Sequence, residues 1–136
     1  IIALIDDEVG RDHDRIKFKS LQIVAGTTGP QTAEIVLDVD GEEKSTKVEG
    51  NGPVDAIFKS IRDIVPHEGA HLQLYQVSAV TGGTDAQAGV TVRLEEDGKT
   101  VTGQGSDADT LVSSARAYVH ALNKLMTKRE KSKPVD

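Results

Sequence analysis

The sequence predicts an α+β fold of two βββα units related by a pseudo-twofold axis, with both helices packed on one face of the sheets. Two apolar openings, Leu21–Val24 and Leu72–Tyr75, lie 51 residues apart, and two Gly-x-Gly triplets, 50–52 and 103–105, lie 53 residues apart. Each triplet precedes an amphipathic helical pattern. A period of roughly fifty residues indicates two copies of one supersecondary element. Three strands and one helix leave apolar faces that a second copy can cover.

Composition places the chain among ordinary globular domains and excludes several classes of function. The 136 residues are 37% hydrophobic and 28% charged, with a net charge of −6 and no cysteine. The acidic balance argues against a nucleic-acid partner. No apolar run approaches the roughly 20 residues of a membrane span, so no membrane partner is expected. The lack of cysteine excludes disulfides and thiolate metal sites, and we expect a cytoplasmic location.

The elements of the first unit, residues 16–66, follow from the spacing of apolar residues. Residues 16–25 predict a strand whose alternation slips, which a β-bulge or a change of packing face explains. Clean alternation predicts a strand over 33–39, and Asp40-Gly41 is a hairpin signal. Residues 44–49 are predicted to form the return strand of this hairpin. Pro53 suits a first helical turn. The following helix has one apolar face, made by Val54, Ile57, Phe58, Ile61, Ile64 and Val65.

The second unit, residues 67–127, repeats this order. Strands are predicted at 72–79, 90–94 and 100–102, with a flexible loop at 81–89 and a hairpin at Asp97-Gly98. Ser106 or Asp107 is the expected N-cap of the second helix. Its apolar positions are Ala108, Leu111, Val112, Ala115, Tyr118 and Val119, extended by Leu122, Leu125 and Met126.

The two ends of the chain are expected to lie outside the core. Residues 1–15 pass from an apolar start to a charged stretch, which predicts the end of a helix and a linker cut from a longer polypeptide. Residues 128–136 are polar and are expected to fray, with cations suited to a helix C-terminus.

The Gly-x-Gly triplets are the strongest candidates for a binding site. Glycine lets the chain turn sharply and lets a ligand approach the main chain. Free N–H groups at a helix start can then receive a carboxylate. A lone triplet is weak evidence, but two at equivalent places are stronger. The small polar loop 81–89 either closes over a ligand or is a plain hairpin connection.

A zinc-peptidase string, His67-Glu68-Gly69-Ala70-His71, is present but lies in the wrong context. Both histidines ligate zinc only when they share one face of a helix. Pro66 and Gly69 oppose that helix, so a hydrolase is disfavoured. His13 and His120 have no visible partner for catalysis, and no catalytic or metal site is expected.

The chain resembles the C-terminal regulatory domain of 2-isopropylmalate synthase from about Leu21 to Leu125. The resemblance rests on Gly50–Ala56, Thr84–Gln87, Gly103–Gly105, Ser113–Tyr118 and Ala121–Asn123. Residues 1–15 look like the end of the linker subdomain that precedes this module. Citramalate synthase, whose related domain binds isoleucine, commonly carries a Trp near Ala115–Ala117. This chain has no Trp, which favours the isopropylmalate branch. Ser106 departs from the apolar residue common in the family.

The resemblance implies a homodimerising domain that binds L-leucine as feedback inhibitor of an acyltransferase joining acetyl-CoA to 2-oxoisovalerate. The catalytic barrel with its divalent metal, absent here, would be its partner in the same polypeptide; no cofactor is expected in this domain. The implied effector contacts are Gly50, Asn51, Gly52, Pro53, Val54, Ala56, Tyr75, Ala79, Asp85, Ala86, Gln87, Gly103, Gly105 and Ser106. An effector-free dimerisation domain is the remaining alternative.

Overall fold

The computed structural model describes residues 14–82 and 85–132, and within them it shows two βββα units. The first contains β1 (Ile16–Val24), β2 (Gln31–Val39), β3 (Glu42–Gly50) and α1 (Pro53–Ile64). The second contains β4 (His71–Gly82), β5 (Asp85–Glu96), β6 (Lys99–Asp107) and α2 (Thr110–Ser132). Each unit forms its own antiparallel three-stranded sheet in chain order, which confirms the predicted fold class.

A β-bulge explains the slipped alternation of the first strand. The register between β1 and β2 shifts between Phe18 and Ser20. Phe18, before the bulge, pairs with the buried Leu37, and Leu21, after it, pairs with the buried Ile35. The extra residue therefore keeps both apolar pairs on one face of the sheet. β4 carries an equivalent shift between Leu72 and Leu74.

Both predicted hairpin turns are confirmed. Asp40 and Gly41 have φ of 54° and 86°, and Asp97 and Gly98 have φ of 54° and 78°. Positive φ at both central residues matches the twist of the flanking strands, which is why Asp-Gly suits this turn.

The true period of the repeat differs from the spacing of the glycine triplets. The turns at Asp40 and Asp97 lie 57 residues apart, and so do the helix starts at Pro53 and Thr110. The triplets are 53 apart, so they occupy different structural positions. The added length lies in the β4–β5 hairpin, whose strands have 12 residues each, against nine in β1 and β2.

The 81–89 segment is therefore largely strand, contrary to the predicted flexible loop. Ala79 pairs with Ala88, and Gly82 pairs with Asp85. Gly83 and Thr84 lie outside the described residues, as do residues 1–13 and 133–136. The predicted helix end and linker at 1–15 thus fall almost entirely on residues that the structure does not describe.

The helices lie over the sheets and against each other. Helix α1 packs on β2 and β3, whereas α2 packs on β5 and β6 and also contacts α1 and β1. The core is mainly aliphatic, because the chain has only two Phe, two Tyr and no Trp, and Tyr118 is its one fully buried aromatic side chain among the described residues. Its fully enclosed members include Ile35, Leu37, Ile57, Ile61, Val92, Leu94, Leu122 and Leu125.

Two glycines of β6 allow α2 to lie directly on the strand. A Cβ on Gly103 would lie 2.2 Å from the Ala121 nitrogen and 2.4 Å from the Ala117 oxygen. A Cβ on Gly105 would lie 2.5 Å from the Ser113 oxygen. These glycines are needed for close packing, rather than for a turn at a helix start.

Helix α2 begins later and ends later than predicted. Asp109 Oδ1 accepts the Leu111 N–H at 2.8 Å, so Asp109, rather than Ser106 or Asp107, caps the first turn. Ala108 precedes the helix instead of belonging to it. The helix runs to Ser132, into the segment expected to fray.

Side chains on one face of α2 cover the free edge of β6. His120 Nδ1 accepts the Gln104 N–H at 3.0 Å. Lys124 donates to the Thr102 oxygen at 2.8 Å, and Lys128 donates to the Thr100 oxygen at 2.9 Å. Four helical residues advance about as far as two strand residues, so the three contacts stay in step. The edge is thereby protected from pairing with another strand.

Candidate functional site

The start of α1 offers main-chain donors that the helix itself does not use. Gly52 is the N-cap in an extended conformation and provides no side-chain cap, and Pro53, which has no N–H, is the first helical residue. The Ala56 N–H donates to the Gly52 oxygen at 2.9 Å. The N–H groups of Val54 and Asp55 precede that bond and have no intrahelical acceptor.

A carboxylate lies beside these donors. Asp55 Oδ2 accepts the Asn51 N–H at 2.8 Å and lies 3.1 Å from Lys59 Nζ. The Asn51 N–H, and next the Lys59 ammonium, lower the pKa of Asp55, which keeps it ionised. Of the predicted donors here, the Asn51 N–H is therefore already occupied.

Gly50 lets the end of β3 approach this turn closely. A Cβ on Gly50 would lie 2.5 Å from the Ala56 nitrogen and 2.8 Å from Asp55 Oδ2. The first triplet thus precedes a helix start, as predicted, and Gly50 brings the end of β3 against it. The approach of a ligand to this main chain stays a prediction.

Tyr75 connects this helix to β4. Its ring meets Phe58 edge-on with centroids 5.6 Å apart. Its hydroxyl lies 2.7 Å from Ser114 Oγ on α2. Phe58 and Ser114 are site residues that the sequence analysis did not identify. Phe58 follows Val54 by one helical turn, a spacing that places the two on one face.

Beside Tyr75, part of the apolar side of β4 is uncovered. We call this surface the β4 strip, made by Leu72, Val77 and Ala79. These residues pair with the inward-facing Leu94, Val90 and Ala88 of β5. Leu72 is 41% and Val77 45% exposed, and Ala79 is exposed as well. Apolar residues on the helix-facing side of a sheet are ordinarily covered, so the strip is open to a ligand or a partner.

The second triplet does not form an equivalent site. Gly103 and Gly105 lie within β6, and a carboxylate already occupies one main-chain donor in the first turn of α2. Asp107 Oδ1 accepts the Asp109 N–H at 2.9 Å, and Asp109 accepts the Leu111 N–H. The prediction that the second triplet precedes a helix start is therefore wrong, whereas the effector contacts suggested at Gly103 and Gly105 stay a prediction.

The remaining predicted residues fall into two groups. Gly105 and Ser106 line a cleft of about 610 Å³ between β1, the second sheet and α2, which does not include Gly50–Ala56. Asp85, Ala86 and Gln87 form the start of β5, opposite the end of β4. Gln87 is exposed, whereas the side chains of Asp85 and Ala86 lie outside the described set.

The zinc-peptidase string has a structural explanation. His67 is 2% exposed; its Nδ1 lies 2.6 Å from the Val65 oxygen and its Nε2 lies 2.6 Å from the Tyr118 hydroxyl. Burial raises the pKa of Tyr118, and the Arg62 guanidinium partly opposes that rise. His71 is exposed at the start of β4. Within the described residues, no cluster of three or more His, Asp or Glu side chains suits a metal ion.

Residues 1–126 match the family model described as the LeuA allosteric (dimerisation) domain. The chain belongs to this family. A 2-isopropylmalate synthase of Caulobacter sp. (strain K31) is 59% identical over 134 residues, covering 98% of this chain and 25% of that protein. The synthase of Bradyrhizobium diazoefficiens is 58% identical over 131 residues, covering 96% and 25%. The synthase of Afipia carboxidovorans is 53% identical over 135 residues, covering 99% and 26%.

The LeuA domain thus spans about a quarter of the length of these relatives. The predicted resemblance to the regulatory domain of 2-isopropylmalate synthase is confirmed. The family match begins at residue 1, so the boundary expected after residue 15 stays a prediction. No helix among the described residues is long and apolar enough to cross a membrane.

Proposed function

We propose that this LeuA domain binds L-leucine and, as a homodimer, transmits feedback inhibition to a 2-isopropylmalate synthase. The observation that carries the proposal is the uncapped first turn of α1, on the helix whose Phe58 ring meets Tyr75 of β4. Main-chain donors on this helix and the apolar surface around Tyr75 match the polar and apolar parts of an aliphatic amino acid. The allosteric and dimerisation description of the family supports the same conclusion.

In the proposed complex, leucine binds through each of its three parts. Its carboxylate accepts the N–H groups of Val54 and Asp55, where the helix dipole favours an anion. Its ammonium pairs with the Asp55 or Asp85 carboxylate. Its branched side chain packs on Val54, Tyr75 and Ala79. The contacts suggested at Ala86 and Gln87 remain part of the proposal, because both residues follow Asp85 on β5.

The proposed homodimer covers the β4 strip. Leu72 and Val77 together would leave two large apolar side chains in water in a lone copy. A second copy that buries their remaining exposed surface gains on the order of 1 kcal/mol for each side chain. Leucine bound beside this surface then favours one quaternary arrangement over another, which a regulatory ligand must do.

We infer the activity of the whole protein from the three relatives described above, which are named 2-isopropylmalate synthase. The catalytic part would condense acetyl-CoA with 2-oxoisovalerate with the help of a divalent metal, outside this domain. The names of the relatives favour leucine over the isoleucine of citramalate synthase. The cytoplasmic location expected from the sequence stays a prediction.

Leucine is expected to stabilise the domain more than isoleucine or valine does. A ligand that binds only the folded state adds about 2.7 kcal/mol at about 100 times its Kd. Thermal unfolding with each amino acid measures this. Ala79→Asp is expected to abolish the shift, because it places a charged carboxylate against the apolar side chain of the bound leucine. Gln76→Asp adds the same charge on the opposite face of β4 and should preserve the shift.

Each alternative gives a different result in this experiment. Stabilisation by isoleucine alone would support the citramalate branch. A domain that none of the three amino acids stabilises would be an effector-free dimerisation domain, and the proposal would be wrong.

A further inference from the structure

We propose that the cleft between β1 and α2 is a second binding site, selective for a small aliphatic carboxylate. It is separate from the proposed leucine site, because none of Gly50–Ala56 lines it. The inference therefore does not depend on leucine binding at α1.

The walls of the cleft come from both units. β1 contributes Ile16 and Phe18, and α2 contributes Arg116, Val119 and His120. The α2 residues lie three and four positions apart, so they form one face of the helix. At about 610 Å³, the cleft lies within the usual range for sites that bind small molecules.

Arg116 provides the main charge for recognition. Its guanidinium carbon lies 5.1 Å from the centroid of the Phe18 ring, so the aromatic face holds the charged group in place. Within the described residues, no carboxylate forms an ion pair with Arg116. A planar guanidinium that is positioned but not neutralised can bind a carboxylate with two parallel hydrogen bonds.

The other charged residues of the described lining are Lys17 and Asp14. Lys17 is exposed and has no ion pair among the described residues, but it alternates on β1 with the inward-facing Ile16 and Phe18, so its side chain lies on the opposite face of the strand. His120 contacts the Gln104 backbone. Arg116 is therefore the cation that recognises a single negative charge, in a chain whose net charge is −6.

The apolar part of the lining explains why the ligand should carry an aliphatic part. Phe18 is half-buried and offers most of this surface, whereas Ile16, Val90 and Val119 are almost fully buried; Gln104 and Ser106 are the polar neighbours. Apolar side chains and a few placed polar groups are the usual composition of a site for a small organic molecule. An inorganic anion would leave this apolar surface unused.

The test compares isovalerate, its neutral isostere isovaleramide, and inorganic phosphate by amide chemical-shift titration of the chain. Isovalerate is expected to shift the signals of Gln104–Ser106 and Arg116. Isovaleramide should bind at least about 10-fold more weakly, which corresponds to about 1.4 kcal/mol, and phosphate should leave these signals unchanged.

Variants separate this site from general charge effects. Arg116→Gln is expected to weaken isovalerate binding about 10-fold or more, and Lys17→Gln should weaken it by a smaller factor. Arg93→Gln, an exposed position on β5 that does not line the cleft, should bind as the parent chain does. Thermal stabilisation by leucine should be unchanged in Arg116→Gln.

Several results would overturn the proposal. Equal binding of isovalerate and isovaleramide would show that charge is not recognised. Equal binding by Arg116→Gln would remove the role of the guanidinium, and phosphate shifts at the same amides would show a site for anions in general. Shifts confined to Val54–Ala56 would mean that isovalerate merely imitates leucine at the first site.

Discussion

Replacing Gly103 with alanine is expected to lower the free energy of unfolding by about 3 kcal/mol, the upper end of the range for overpacked cores. The new Cβ would lie 2.2 Å from the Ala121 nitrogen and 2.4 Å from the Ala117 oxygen. Both are main-chain atoms of α2, so no side chain can rotate away. The helix itself has to move, although it is packed on β5 and β6 over much of its length.

Urea denaturation of Gly103→Ala measures this loss as a lower midpoint with an unchanged slope. Gly26→Ala is the matched control, because a Cβ there meets only the Thr28 oxygen, at 3.9 Å. The control is expected to change stability by less than about 1 kcal/mol. A Gly103→Ala midpoint equal to that of the control would contradict the close packing of α2 on β6.

The substitution Asn123→Leu is expected to cost about 2–4 kcal/mol, because it leaves two buried main-chain groups without partners. Asn123 Oδ1 accepts the Ile16 N–H at 2.9 Å, and its Nδ2 donates to the Ile16 oxygen at 2.8 Å. Asn123 is 6% and Ile16 1% exposed. Leucine has a similar size but no polar atom, so neither Ile16 group regains its bond.

The loss of stability is expected to appear at β1, because the Asn123–Ile16 pair joins the first strand of one unit to the helix of the other. Hydrogen exchange should show faster opening of β1 in Asn123→Leu, together with a lower thermal midpoint. Thr127→Ala, one turn further along α2, removes only a hydroxyl bonded to its own helix at the Asn123 oxygen, at 3.1 Å. It should change stability by about 0.5 kcal/mol or less. Unchanged hydrogen exchange of β1 in Asn123→Leu would refute this anchoring role.

Local patterns predicted much of the fold. The two Asp-Gly turns, the apolar face of α1 and the slip between Phe18 and Leu21 each depend on neighbouring residues, so each could be found from the sequence. The β4–β5 hairpin could not, because Gly82, Ala86 and Gly89 are poor strand formers that tertiary pairing overrides.

The two Gly-x-Gly triplets show where sequence reasoning misled. At Gly50 the Gly-x-Gly sequence brings the end of a strand against a helix start. At Gly103 the same sequence lets a helix pack directly on a strand. Glycine is used wherever backbone approaches closely, and the partner backbone cannot be seen in the sequence. The two Asp-Gly turns already lie 57 residues apart in the sequence, and the helix starts of the structure have the same spacing.

The candidate site was likewise predicted in part. The resemblance identified Val54 and Tyr75, and the structure connects their elements through Phe58. The cation–π pair of Arg116 and Phe18 joins residues far apart in the chain. Neither residue has a neighbour in the sequence that signals this contact.

The most direct test of the proposed function is the location of bound leucine, measured by amide chemical-shift mapping of the chain. We expect the largest shifts at Val54 and Asp55, with further shifts at Tyr75 and Ala79 and none at Asp109 or Leu111. Saturable shifts at the start of α1 would support a leucine receptor at that junction. Shifts confined to the start of α2 or to the cleft, or no saturable shift at all, would contradict it.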